Sequence, residues 1–245
     1  MSSRNFILPD PFYAVIIGGT GGIGAAITRQ FLDLGAAVTA TGATKAEFST
    51  SGLQPSETLK LAALDITGTD AVARFAEDYQ RLDALIYCAG ILRRDDEFDI
   101  DVFQNVIDVN LTGAMRCATA FRQALGAANG SIVNIASMNA FAALPRLPAY
   151  CASKGALVML TRSLAHAWAA DGIRVNAVAP GYIETAINAE GRKDKEHYDR
   201  IAARTAMKRW GQPDDIAGTV AYLCMPAANY VTGSVVMVDG GFLAG

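Results

Sequence analysis

A phenol and an ammonium stand four residues apart in Tyr150-Cys151-Ala152-Ser153-Lys154. On a helix that spacing puts both on one face. The pair alone is common on helix surfaces. Ser137, thirteen residues upstream, adds a hydroxyl, and Asn110, in Val109-Asn110-Leu111-Thr112-Gly113, adds an amide. Far upstream, Gly18-Gly19-Thr20-Gly21-Gly22-Ile23-Gly24 places five glycines in seven residues. Glycines at a strand-to-helix turn let the backbone approach a pyrophosphate closely, and the helix N-terminus adds free N–H donors and partial positive charge. The spacing is GxxxGxG, a variant of the GxGxxG dinucleotide fingerprint. Together these groups suit proton transfer to or from a hydroxyl beside a bound nucleotide.

Such residues need elements to position them. Short apolar runs predict strands at Tyr13–Ile17, Ala37–Ala40, Leu61–Leu64, Ala84–Tyr87, Ser131–Ile135, Arg174–Val178 and Ser234–Val238. Between them, amphipathic patterns predict helices at Gly22–Leu34, Thr69–Gln80, Val102–Leu125, Ala149–Ala170 and Pro213–Cys224. Gly42, Ser49, Ser51, Gly52 and Pro55 make Thr41–Lys60 irregular. Alternating helices and near-continuous apolar strands specify an α/β fold, a parallel sheet covered on both faces. No repeat, low-complexity tract or Pro/Ser-rich linker divides the 245 residues, so 1–245 reads as one domain. The charged segment Glu190–Arg209 reads either as a solvated helix pair or, with the residues just before it (186–209), as a substrate lid.

Composition removes several function classes. With Lys+Arg 21 against Asp+Glu 24, the formal charge of −3 offers no general attraction to nucleic acid or anionic membrane. A mean hydropathy of +0.22 raises the question of membrane insertion. The two long uncharged stretches, Pro11–Thr28 and Ile216–Val238, are broken by glycines and polar residues, so neither reads as a spanning helix. Met1–Asn5 and the short apolar patch before Pro9 read as no export signal. Cys88, Cys117, Cys151 and Cys224 form no CxxC pair, which fits a reduced, cytoplasmic protein. His166 and His197 have no partner that suggests a metal, and Trp168 and Trp210 read as packing residues.

The glycine turn, Asn110, Ser137, Tyr150, Lys154 and Pro180-Gly181 together resemble the short-chain dehydrogenase/reductase family over nearly the whole chain, from Gly18 to Val238-Asp239-Gly240-Gly241. The resemblance implies a single Rossmann-like, doubly wound domain with seven parallel strands, assembled as a homotetramer or homodimer. It implies a catalytic tetrad of Asn110, Ser137, Tyr150 and Lys154 that interconverts a secondary alcohol and a ketone with NADP or NAD. Tyr150 would be the acid/base, Ser137 a donor to the substrate oxygen, and Lys154 the partner of the nicotinamide ribose. Asn110 would hold a relay water. An ammonium about 5 Å from the phenol, at an effective dielectric near 20, favours phenolate by roughly 3 kcal/mol, or about 2 pK units. The resemblance also implies a cofactor site at Gly18, Thr20, Gly21, Gly22, Ile23, Gly24, Thr41, Gly42, Ala43, Asp65, Ile66, Cys88, Ala89, Gly90, Pro180, Gly181, Ile183 and Thr185, besides Tyr150 and Lys154.

Two departures stand out. Ile17 replaces the family's threonine, which removes a hydrogen bond from the turn, and Tyr87-Cys88 replaces Asn-Asn before Ala89-Gly90. At the end of the second strand, Thr41-Gly42-Ala43-Thr44-Lys45 holds neither the acid that binds a 2′-hydroxyl nor an arginine. Thr41, Thr44 and Lys45 could take a phosphate, a slight lean to NADP. Ala89–Arg94, Ile135–Met138, Ala179–Tyr182 and Arg209–Gly211 resemble the gluconate and 2-deoxy-D-gluconate dehydrogenase branch. A substrate site there would use Arg93, Arg94, Met138, Asn139, Leu144, Leu147 and Tyr182, with an arginine gripping a carboxylate. Alternatively, Arg93 and Arg94 pair with Asp95, Asp96 and Glu97 on a solvated loop. Met138, Phe141, Ala142, Ala143, Leu144 and Leu147 would instead suit a hydrophobic ketone, and 3-oxoacyl-carrier-protein reductases are similar too. A non-catalytic dinucleotide-binding sensor or scaffold is the alternative of another class.

Overall fold

The structure is a computed structural model that describes residues 3–245, and side chains from Asn5 onward; Met1 and Ser2 of the N-terminal reading lie outside the described residues. Its strands are β1 (Tyr13–Ile17), β2 (Ala37–Gly42), β3 (Leu59–Ala63), β4 (Ala84–Tyr87), β5 (Ser131–Ile135), β6 (Arg174–Pro180) and β7 (Val235–Val238). All seven join in one parallel sheet of order β3-β2-β1-β4-β5-β6-β7. The helices are α1 (Gly22–Asp33), α2 (Ala46–Thr50), α3 (Thr69–Glu77), α4 (Ile100–Ile107), α5 (Gly113–Gly126), α6 (Pro148–Ala167), α7 (Ala189–Arg192), α8 (Lys195–Arg204) and α9 (Pro213–Cys224).

Strand periodicity sets the layers. Ala14 and Ile16 face α1 and α9, whereas Val15 and Ile17 face the opposite layer with Phe121 of α5 and Leu157 of α6. Both faces are covered, which accounts for the unbroken apolar runs of β1 and β4. The order reverses between β1 and β4, and the crevice at the carboxyl ends of the strands beside that switch point is where a ligand binds in such sheets.

The predicted helix Val102–Leu125 is two helices. Asp99 caps α4 by accepting from the N–H groups of Asp101 and Val102. A π-helical turn, Asp108–Thr112, then separates α4 from α5 and carries Asn110. Such turns interrupt a helix frequently at functional sites. The irregular stretch 41–60 contains the end of β2, the five-residue α2 and the start of β3. No described helix is long and apolar enough to cross a membrane.

Candidate active site

A cleft of about 570 Å³ opens at the carboxyl ends of the strands. At one end it is floored by the glycine turn. Gly18 has φ +75°, and a Cβ there would meet the Ala89 nitrogen at 2.7 Å; a Cβ on Gly24 would lie 2.0 Å from the Gly18 carbonyl oxygen. Only glycine permits this packing of turn on strand. No side chain caps α1, and Gly22, Ile23 and Gly24 of its first turn all line the cleft. Uncapped N–H groups at a helix start, with no Cβ in the way, fit a pyrophosphate.

The bond lost with threonine at position 17 is replaced from elsewhere. The Gly18 N–H donates to the Thr41 hydroxyl (3.2 Å), and the Thr28 hydroxyl donates to the Gly19 carbonyl (3.0 Å). Tyr87, at the first position of the Asn-Asn pair, is buried and donates its hydroxyl to the Val109 carbonyl inside the π-helical turn. A different residue thus ties β4 to the helix that carries Asn110.

Of the anticipated cofactor residues, Gly18, Gly21, Gly22, Ile23, Gly24, Thr41, Gly42, Ala43, Asp65, Ile66, Cys88, Ala89, Gly90, Pro180, Gly181, Ile183 and Thr185 line this cleft. Thr20 does not: it is buried, with its hydroxyl turned to the Thr41 carbonyl and to Glu47. Thr44 and Lys45, the suggested phosphate ligands, also lie off the cleft lining. Asp65 accepts from both the N–H (2.9 Å) and the hydroxyl (2.7 Å) of Thr67, which hold its carboxyl below the usual range.

Glu47 went unnoticed in the sequence, because it sits five residues past the strand end in an irregular stretch. The fold returns it to that end. Its carboxylate accepts from the Ala43 N–H (3.3 Å) and the Thr20 hydroxyl (3.3 Å), and it lines the cleft. A Cβ built on Gly42 would meet Glu47 Oε2 at 2.8 Å. The carboxylate therefore fills the space of the side chain that Gly42 lacks, at the place where acids meet an adenosine ribose.

At the other end of the cleft stand Ser137, Tyr150 and Lys154. Ser137 lies two residues past β5 in extended backbone, and its hydroxyl accepts from the Asn139 N–H (3.1 Å). Tyr150 and Lys154 lie on the first turns of α6, with Nζ 5.7 Å from the centre of the phenol ring. Lys154 is buried and donates to the Ile135 carbonyl (2.7 Å). Burial pushes its amine down to about 8. The spacing leads one to expect a lowered phenol; instead burial pushes Tyr150 up, with the Ser137 hydroxyl opposing. Desolvation disfavours both charged forms, so the site holds the pair closer to neutrality than exposed groups would be.

Asn110 is fully buried and does not line the cleft. Its Oδ1 accepts from the Ile91 N–H (2.8 Å), and Nδ2 donates to the Ile91 carbonyl (2.9 Å) and the Ser153 hydroxyl (3.0 Å). Both Nδ2 protons and one lone pair of Oδ1 are thus used in holding Ile91 against α6, which leaves Oδ1 one further acceptor position.

Arg93, Arg94, Met138, Asn139, Leu144, Leu147 and Tyr182 all line this end, whereas Phe141, Ala142 and Ala143 do not. The pairing of the two arginines with Asp95, Asp96 or Glu97 is not found. Asp95 pairs with Arg146, and Glu97 accepts from backbone N–H groups. Among the described residues, neither Arg93 nor Arg94 has a carboxylate within salt-bridge distance. Of the segment 186–209, Ala186, Ile187 and Asn188 reach the cleft. Arg192 ties them down through Asn188, Glu184 and the Thr185 carbonyl, and α8 packs through Tyr198, stacked on Trp210. Among the described residues no His/Cys/Asp/Glu cluster could hold a metal.

Comparison with known proteins agrees with this geometry. Residues 18–243 match the family model described as Enoyl-(Acyl carrier protein) reductase. The chain is 37% identical over 239 residues to 2-dehydro-3-deoxy-D-gluconate 5-dehydrogenase of Bacillus subtilis, covering 94% of each. It is 35% identical to galactitol 2-dehydrogenase (L-tagatose-forming) of Cereibacter sphaeroides, covering 99% of each. Among solved structures, a gluconate 5-dehydrogenase from Burkholderia cenocepacia in complex with NADP and tartrate superposes with a TM-score of 0.90 at 31% identity, over 99% of this chain and 98% of that one. A seven-stranded doubly wound sheet, a GxxxGxG turn on its switch-point crevice and a model match over nearly its full length settle the matter: this chain belongs to the short-chain dehydrogenase/reductase family.

Proposed function

We propose that this oxidoreductase acts on a sugar acid or small polyol, with Tyr150 as its acid/base. The enzyme interconverts an alcohol and a ketone with NAD(P), as its relatives do. The observation that carries the substrate class is the pair Arg93 and Arg94, which line the cleft beside Ser137 and Tyr150 without carboxylate partners. A guanidinium in that state can grip a substrate carboxylate with two parallel hydrogen bonds.

The roles follow from position. The nicotinamide coenzyme, when bound, supplies the hydride acceptor or donor. Gly22, Ile23 and Gly24 would hold its pyrophosphate, Glu47 and Asp65 would face its adenosine, and Lys154 its second ribose. Ser137 would donate to the substrate oxygen. Tyr150 would take the hydroxyl proton in oxidation and return it in reduction. Lys154, close to the ring, favours the ionised phenol whenever it is charged. Asn110 would hold Ile91 to Ser153 and, through the remaining acceptor position of Oδ1, a relay water. Ala186–Asn188 would serve as the inner edge of a lid over 186–209.

Following nicotinamide absorbance with both coenzymes tests the reading, using D-gluconate, galactitol, cyclohexanone and an acetoacetyl thioester. Turnover of gluconate or galactitol supports it; turnover confined to the thioester or the cyclic ketone overturns it. The hydrophobic-ketone reading rests on Met138, Leu144 and Leu147 at the same end of the cleft. Exposed Phe98, Ile100, Met115 and Met159, on or next to α4–α6, support a homotetramer or homodimer. A monomer mass in sedimentation would overturn that. Four free cysteines support a cytoplasmic location.

A further inference from the structure

Glu97 is a carboxylate buried to 1% exposure, outside the residues assigned to proton transfer. It sits in the short turn Asp96–Phe98, and among the described residues no lysine or arginine pairs with it. Its oxygens instead accept from two backbone donors. Oε1 takes the Arg93 N–H at 2.9 Å, and Oε2 takes the N–H of Tyr150 itself at 2.9 Å.

The start of α6 explains the need. Leu147 occupies the capping position and offers no acceptor side chain, and Pro148 has no N–H. The Cys151 N–H already reaches the Leu147 carbonyl (3.0 Å). The Tyr150 N–H is one of the donors that a helix start leaves without a partner. A carboxylate from 53 residues away fills the cap, where the helix dipole also favours negative charge. The same carboxylate fixes Arg93, so one side chain joins the backbone of the acid/base to the loop that carries both cleft-lining arginines.

We infer that Glu97 is a positioning residue that couples the substrate-facing loop Arg93–Arg94 to Tyr150 by capping the catalytic helix with a charged carboxylate. The inference rests on Tyr150 as the acid/base. A buried negative charge this close also disfavours phenolate. Of the other groups that face the phenol, Cys151 on α6 and Cys88 after β4 also disfavour phenolate, whereas the Ser137 hydroxyl after β5 and the Lys154 ammonium on α6 favour it.

Two substitutions separate reach from charge. Glu97→Gln keeps the length but loses the charge and one acceptor; Glu97→Asp keeps the charge but is one methylene short of spanning both donors. For Glu97→Gln, the phenol of Tyr150 should ionise at lower pH than in the wild type. This is read at 295 nm as the difference from each protein's own Tyr150→Phe background, and needs no substrate. For Glu97→Asp the phenol should titrate as in the wild type, while kcat/KM for the fastest alcohol of the panel falls about tenfold, as one weakened charge-assisted bond implies. Coenzyme affinity should hold in both. An unmoved phenol titration in Glu97→Gln overturns the inference, as does wild-type kcat/KM in Glu97→Asp. Full activity in Tyr150→Phe would overturn the assignment of the acid/base instead, so the two failures are told apart.

Discussion

Lys154→Met removes one charge from the site with little change in side-chain length. Nζ lies 5.7 Å from the centre of the Tyr150 ring. At an effective dielectric of about 20, unit charges at that separation interact by about 3 kcal/mol, roughly two pK units. Burial pushes the phenol up and the amine down to about 8. Without the cation the phenol must ionise against burial and the neighbouring Glu97, with only the Ser137 hydroxyl in its favour. At saturating coenzyme, the rising limb of kcat/KM for alcohol oxidation should move up by about two pH units, and the rate at neutral pH should fall about a hundredfold. The same change should raise thermal stability. An amine whose folded value is depressed from 10.5 to about 8 binds its proton more weakly folded than unfolded. The folded state is therefore penalised in full below about pH 8, and the penalty fades as pH rises toward 10.5. Methionine recovers part of that roughly 3 kcal/mol. Offsetting this, the Ile135 carbonyl loses the ammonium that donates to it at 2.7 Å. The variant should be slower yet melt higher at pH 7, and lose that advantage near pH 10. Rate profiles and melting curves over pH read both effects. An unmoved limb refutes the electrostatic role of Lys154, and a lower melting temperature at pH 7 refutes the burial penalty.

Tyr150→Phe should lower turnover by about 10²–10⁴-fold or more while fluorescence titration shows coenzyme affinity near wild type; substantial remaining turnover would exclude the phenol as acid/base. Glu47→Gln removes the carboxylate at the end of β2 and should shift the ratio of kcat/KM toward NADP by about tenfold, the effect of relieving roughly 1.4 kcal/mol of repulsion from a 2′-phosphate; an unchanged ratio would place the ribose elsewhere. Arg94→Ala should raise KM for D-gluconate about tenfold or more, for the loss of charge-assisted hydrogen bonds, and leave galactitol unaffected. Equal effects on both would deny the carboxylate contact.

Much of this architecture is legible in the chain. β1, β4, β5 and α9 have the bounds expected of them, because a strand buried on both faces is an apolar run with polar or glycine ends. The helix across 102–125 was legible as helical but not as broken. A π-helical turn leaves the apolar periodicity nearly intact, and its stabilising contact is Tyr87, reaching from β4. The cleft gathers nearly all the residues its motifs nominate, with Thr20 and Asn110 turned away because their polar atoms already have partners inside the protein.

The sequence by itself determined the layers, the turn and the Tyr150–Lys154 spacing, since these depend on residues within a few positions of one another. Tertiary structure decided which charges meet. Glu47 reaches Gly42 and Ala43 only because α2 folds back on β2, Asp95 takes Arg146 and so leaves Arg93 and Arg94 without it, and Glu97 caps a helix 53 residues away. A carboxylate carries no local periodicity that names its partner. Its partner is whichever donor the strand ends and loops bring within about 3 Å, and in a parallel sheet every loop at the carboxyl edge comes from a different crossover.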